Sequence, residues 1–109
     1  LLFSRAMPSY PGRRLVKNVV LAEDDPAVRD ALTEGLQIYA GEFNLLPAGD
    51  GTEALKIIES TRIDLLVTDL RMPGMDGLEL LARVSSFQPG LPAIVVSGYS
   101  TPEIRRELA

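Results

Sequence analysis

The chain is predicted to fold as an α/β domain with a doubly wound parallel sheet. Short apolar runs alternate with segments whose apolar residues recur at helical spacing, in the order β-α-β-α-β-α-β-α, the pattern of a parallel sheet covered by helices. The first and third runs, Val19-Val20-Leu21-Ala22 and Asp64-Leu65-Leu66-Val67-Thr68, end directly in acidic residues, and the fourth ends at Ser97-Gly98. Right-handed crossovers bring all strand C-termini to one rim, where open α/β folds hold their ligands.

Residues 1–16 carry Pro8, Pro11 and Gly12 among small and basic residues and read as a flexible lead-in, with Met7 a candidate original start; the folded unit is expected over 17–109. The first strand stops at Glu23-Asp24-Asp25. Asp25 is then the N-cap and Pro26 the first residue of a helix whose inward stripe is Val28, Ala31, Leu32, Leu36 and Tyr39, with Gly41 as its stop. Phe43 to Pro47 forms a weaker strand, placed at a sheet edge by Pro47. Asp50-Gly51-Thr52-Glu53 is a capping box with Asp in place of Ser/Thr, and Ala54, Leu55 and Ile58 form the stripe of the helix it starts. The run from Asp64 to Thr68 is apolar enough to be covered on both faces. Asp76-Gly77-Leu78-Glu79 repeats the capping pattern, followed by Leu78, Leu81 and Val84; Pro89-Gly90 turns the chain into Ala93-Ile94-Val95-Val96, and Thr101-Pro102 caps a last helix.

Composition narrows the chemistry. The 109 residues suit one small domain, and 46% hydrophobic with 24% charged is ordinary for a soluble protein. The net charge of −4, with basic residues scattered, argues against a nucleic-acid surface. With no cysteine there is no disulfide or thiolate site; with no histidine the commonest general base and zinc ligand is missing, so acid chemistry must run on carboxylates. No apolar run approaches the ~20 residues of a membrane span, and Leu1-Leu2-Phe3 is too short for a signal-peptide core; a cytoplasmic location is expected.

The informative residues are the acids at the strand tips. Asp69 ends the third apolar run, and Leu70-Arg71-Met72-Pro73-Gly74-Met75-Asp76-Gly77 bends away at once. Carboxylates crowded in one crevice repel each other, and a hard divalent cation with oxygen ligands, Mg2+, is the natural remedy. A carboxylate beside such an ion can take up a phosphoryl group as an acyl phosphate, chemistry that needs positioning and charge neutralisation more than a histidine base.

Val19 to Pro26, Thr68 to Gly77 and Val95 to Gly98, in this spacing, resemble the response-regulator receiver domain of two-component signalling, over roughly Lys17 to Ala109. The resemblance implies a flavodoxin-like fold with Asp69 as phosphoacceptor, Asp24 binding Mg2+ directly, Glu23 binding it through water, the backbone carbonyl of Arg71 as a further ligand, and Ser97 as the switch hydroxyl. Asp25 falls outside that set, in keeping with a capping role. The implied phosphodonor is a phosphohistidine on a sensor histidine kinase or phosphotransfer protein, and the domain is not an enzyme beyond its own aspartyl phosphorylation and dephosphorylation.

The family also has a fifth strand and helix, with a lysine at the end of that strand. No lysine follows Lys56 here, so the sequence reads as cut short before both elements. The Ala93–Val96 strand would then be a bare apolar edge, and self-association through it is expected. The alternative function is a pseudo-receiver, the same fold acting as a phosphorylation-independent interaction module. A flavodoxin-type nucleotide binder would need a phosphate loop where Glu23-Asp24-Asp25 stands, and an aspartyl phosphatase of the haloacid dehalogenase type would carry Asp at the position of Arg71.

Overall fold

The computed structural model describes residues 2–4, 16–39 and 41–96. Its elements are β1 (Leu2–Ser4), β2 (Lys17–Ala22), α1 (Pro26–Gly35) with a 3-10 turn at Gln37–Tyr39, β3 (Phe43–Ala48), α2 (Gly51–Ser60), β4 (Leu65–Asp69), α3 (Gly77–Phe87) and β5 (Ala93–Val96). The sheet order is β1-β5-β4-β2-β3. The pairs β3–β2, β2–β4 and β4–β5 are all parallel, as the alternation of elements predicts. The chain moves from β2 outward to β3, then back across β2 to β4, so the winding direction reverses between β2 and β4. With right-handed crossovers, that reversal puts α1 on one face and α2 and α3 on the other.

The main core lies under α2 and α3. Val20, Ala22 and Leu66 point to this face, packed with Ala54 and Ile58 of α2 and Leu80 and Val84 of α3. The β4 run was expected to be covered on both faces. Instead Leu66 and Thr68 are wholly buried while Leu65, Val67 and Asp69 are half-buried, because α1 is the one described helix on that side. The stripes shift accordingly: Leu80 rather than Leu78 or Leu81 is the fully buried leucine of α3, and Leu55 is half-buried. None of α1's residues is fully buried; of its expected stripe only Leu32 and Leu36 are half-covered, and Val28, Ala31 and Tyr39 are exposed. Helix α1 also stops sooner than expected, at Gly35, and Gly41, with φ of 95°, makes the turn into β3.

The three acidic caps are as the sequence predicts. Asp25 Oδ1 accepts from the Ala27 amide at 2.9 Å, Asp50 Oδ1 from Glu53 at 2.8 Å, and Asp76 Oδ1 from Glu79 at 2.8 Å. In the Asp50 box the returning bond goes one residue upstream, from the Gly49 amide to Glu53 Oε2 at 3.0 Å. Pro47 is exposed on β3, which is an edge strand.

Residues 2–4, expected within the flexible lead-in, form a strand. Leu2, Phe3 and Ser4 pair antiparallel with Val96, Val95 and Ile94, so the edge of β5 expected to be bare is covered. The physical reason is the one that made a bare edge costly: unpaired backbone groups on an apolar strand take whatever extended segment can reach them. The helix predicted after Thr101-Pro102 lies outside the described residues.

Two glycines open helices where a side chain has no room. A Cβ on Gly77 would lie 2.3 Å from the Asp69 carbonyl oxygen, and one on Gly51 would lie 2.6 Å from that of Met75. Both clamp the loop between β4 and α3. Gly77→Ala and Gly51→Ala are therefore expected to destabilise the fold by about 1–3 kcal/mol, the range for overpacking. Gly35→Ala, which meets nothing within 4 Å, should leave stability unchanged or raise it. Urea denaturation of the three variants checks this, and equal midpoints for Gly77→Ala and Gly35→Ala would refute the clamp.

Candidate functional site

Register builds the site. Strands β2 and β4 run parallel with Ala22 opposite Thr68, so Glu23 and Asp69 leave the sheet side by side at the same rim. Asp24 follows in the turn that Asp25 closes into α1. One carboxylate oxygen from each of Glu23, Asp24 and Asp69 lies within 4.8 Å of the other two.

Each of these acids is held differently. Glu23 is buried. Its amide donates to the Ala48 carbonyl at 3.0 Å, its carbonyl accepts from Arg29 Nη1 at 2.8 Å, and its Oε2 accepts from the Asp25 amide at 3.2 Å. Asp69 is half-buried, and its Oδ1 accepts from the Leu70 amide at 2.8 Å, which fixes the carboxylate plane against the start of the loop. The wholly buried Thr68 hydroxyl donates to the Asp69 carbonyl at 2.9 Å, and the Gly77 amide donates to the Leu70 carbonyl at 2.9 Å. Beside the acids opens a cleft of about 410 Å³ lined by Asp24, Arg71, Met72, Pro73 and Asp76.

Crowding has an electrostatic consequence. Glu23 is pushed up from 4.5 to about 7, first by burial; the hydrogen bond from the Asp25 amide, the next largest effect, opposes this, and the negative charge of Asp69 and the hydrogen bond and charge of Asp24 add to the rise. The donor set suits a hard divalent cation. All three donors are anionic oxygens, and a Mg2+ ion with ~2.1 Å bonds places opposite ligands ~4.2 Å apart. A cluster spanning at most 4.8 Å has the dimensions of one coordination sphere, closed by side-chain rotation or a bridging water.

Of the five site residues read from sequence, the structure brings Glu23, Asp24 and Asp69 together and sets Arg71 in the adjoining loop, lining the cleft. Ser97 lies outside the described residues. Asp25 and Asp76 act as caps. Met72 is buried in the core and Met75 packs against it, so the loop is anchored by apolar contact as well as by the glycine clamps. Three contributors escaped the sequence reading. Arg29 was hidden because its guanidinium reaches back six residues to a backbone oxygen. Gly51 and Gly77 left a signal, a poor helix former at the first helical position after an Asp cap.

The chain matches the family model described as "Response regulator receiver domain" over residues 19–109. It is 32% identical over 84 residues to the transcriptional regulatory protein GlrR of Escherichia coli (strain K12), covering 77% of this chain and 18% of that protein. It is 36% identical over 91 residues to an uncharacterized 14.6 kDa protein of Leptolyngbya boryana, covering 82% of this chain and 68% of that one. Among solved structures, a response regulator receiver protein from Pseudomonas putida superposes with a TM-score of 0.78 at 28% identity, covering 86% of this chain and 78% of that one. The chemotaxis protein CheY4 of Vibrio cholerae gives 0.77 at 26%, covering 85% and 78%. The chain thus spans about a fifth of the length of the long regulators it matches.

The raised Glu23 sets a pH dependence in metal-free buffer. Its folded value lies above its unfolded one, so its stabilising contribution is complete below about pH 4.5 and is lost as pH rises through about 7. The full shift corresponds to roughly 3 kcal/mol at 1.36 kcal/mol per pKa unit, and solvent screening at the open rim reduces it. Urea denaturation in EDTA should show the wild type weakening relative to Glu23→Gln between pH 5 and 8, and Mg2+ should reverse the difference. Parallel pH profiles for the two proteins would contradict the assigned cause.

Proposed function

This chain belongs to the response regulator receiver domain family, and on that premise we propose that Asp69 accepts a phosphoryl group from a phosphohistidine on a sensor histidine kinase or phosphotransfer protein, with Mg2+ held beside it. The observation that carries the reading is the convergence of Glu23, Asp24 and Asp69 within 4.8 Å at the point where the sheet reverses its winding.

The residues have distinct tasks. The Leu70 amide occupies Asp69 Oδ1, which leaves Oδ2 as the nucleophile. In the transfer, a bond forms between Oδ2 and phosphorus as the phosphorus–nitrogen bond to the donor imidazole breaks, and the departing imidazole nitrogen takes up a proton. Asp24, Glu23, Asp69 and the carbonyl of Arg71 would hold Mg2+, with Asp24 bound directly and Glu23 through water. When bound, the cation supplies charge neutralisation for the transferring phosphoryl oxygens. The anchoring of Glu23 at its amide, its carbonyl and Oε2 keeps the acidic group assembled against its own repulsion. Asp69 is held from behind by the close approach of α3 at Gly77, so its backbone does not recoil as the new bond forms.

Ser97 is assigned the role of the switch hydroxyl that senses the modified aspartate. The readout is a population shift of a protein-interaction surface. The chain turns over no external substrate. No helix among the described residues is long and apolar enough to cross a membrane, and we place the domain in the cytoplasm with its kinase.

Incubation with acetyl phosphate and Mg2+, read by intact mass, should add one phosphoryl group that is absent in Asp69→Asn and in EDTA. Failure of the wild type to gain that mass would favour the phosphorylation-independent interaction module instead. Asp24→Asn should weaken Mg2+ binding by more than the roughly 10–100-fold typical of losing an outer-shell partner, with the fold retained by circular dichroism. Unchanged Mg2+ affinity in a titration would remove Asp24 from the site.

A further inference from the structure

Thr68 carries a hydroxyl at a wholly buried position, and the chemistry at Asp69 leaves that hydroxyl without a task. Its partners across the sheet are Ala22 on β2 and Val95 on β5, both buried and apolar. Valine has the shape of threonine and would fill this place without the cost of burying a polar group. The oxygen is therefore the feature to explain. It donates to the Asp69 carbonyl at 2.9 Å.

That carbonyl belongs to the peptide plane joining Asp69 to Leu70. A peptide unit is rigid and planar, so its C=O and its N–H turn together. The N–H of this plane is the Leu70 amide, which donates to Asp69 Oδ1 at 2.8 Å. One rigid plane thus links the buried hydroxyl to the carboxylate. We propose that Thr68 is a positioning residue for phosphoryl transfer: by holding the Asp69 carbonyl it aims the Leu70 N–H at Oδ1, and so leaves Oδ2 to attack phosphorus. This deepens the reading of Asp69 as phosphoacceptor and rests on it. The surrounding contacts agree. Helix α3 starts against the same oxygen, where a Cβ on Gly77 would lie 2.3 Å away, and the Gly77 amide fixes the next carbonyl, that of Leu70, at 2.9 Å. Contact with α3 limits where the Asp69 carbonyl can go; the bond from Thr68, being directional, sets how its plane is turned.

Amide hydrogen exchange in EDTA and the kinetics of phosphorylation by acetyl phosphate test this on the 109-residue chain and its Thr68→Val variant. Thr68→Val should speed exchange of the Leu70 amide by about tenfold relative to the Val20 and Leu66 amides, which report opening of the whole core. With Mg2+ present, its rate at saturating acetyl phosphate should fall by about tenfold or more, while Mg2+ affinity stays at the wild-type value, because misorienting one reacting group acts on the chemical step. Thr68→Ser, which keeps the hydroxyl, should restore both readouts and Thr68→Ala should not; this pair carries the comparison if valine prevents folding. Equal acceleration of all three amides would reduce Thr68 to a stabilising role and overturn the proposal. A wild-type rate in Thr68→Val, or a loss of rate matched by a loss of Mg2+ affinity, would overturn it as well. A wild type that gains no phosphoryl mass would remove the phosphoacceptor reading and this role with it; unchanged Leu70 exchange in Thr68→Val, beside a wild type that is phosphorylated, would remove this role alone.

Discussion

Everything at the functional rim depends on the flush parallel pairing of β2 with β4. Because Ala22 sits opposite Thr68, the next residue on each strand is an acid, and the two leave the sheet together. A shift of one residue would turn Asp69 to the opposite face and separate the charges. The register is set by the core: Val20, Ala22, Leu66 and Thr68 are the wholly buried residues of the two strands on the α2 and α3 face, and a one-residue slip of either strand would turn its pair outward. Hydrophobic burial thus holds in place an electrostatic arrangement that is unfavourable by its own terms. The raised Glu23 is the visible sign of that opposition.

The loop after β4 is held from several sides. Met72 is buried in the core, Gly77 lets α3 start against the Asp69 carbonyl, and Gly51 lets α2 start against Met75. In a helix interior a glycine costs about 1 kcal/mol relative to alanine, and at these first positions the close backbone contact is what the missing side chain makes possible. Asp50 and Asp76 cap the same two helices, so each Asp-Gly pair both starts a helix and seats it against the loop. The Asp69 position is therefore rigid on its protein side and open on the side of the cleft.

The α1 face is organised differently. It has one described helix, which buries no residue completely; beneath it Val19 and Leu21 of β2 are buried, but Leu65 and Val67 of β4 are only half-covered. The fold is asymmetric about its sheet, with a dense core on one side and a looser layer on the other. Stability resides with α2 and α3, while α1 contributes mainly through Asp25 and Arg29, which brace the turn carrying Glu23 and Asp24.

The alternation of strands and helices, the helix starts and the acidic identity of the rim were legible along the chain because they follow from local rules. Apolar runs of four to six residues, Asp before a helix and Pro or Gly after a strand each act within a few neighbours. The Glu23, Asp24 and Asp69 cluster was legible for the same reason, since parallel strands must deliver their tips to one side. Depth of burial was not: whether Leu78 or Leu80 turns inward, or whether Val28 is covered, depends on which helices lie opposite. The strand at Leu2–Ser4 was invisible, because a three-residue segment has no periodicity to read and is ordered only by a partner 90 or more positions away. Contacts made by backbone atoms, such as Arg29 on the Glu23 carbonyl and Gly77 on that of Asp69, leave little mark in side-chain pattern, and three-dimensional packing alone brings them into being.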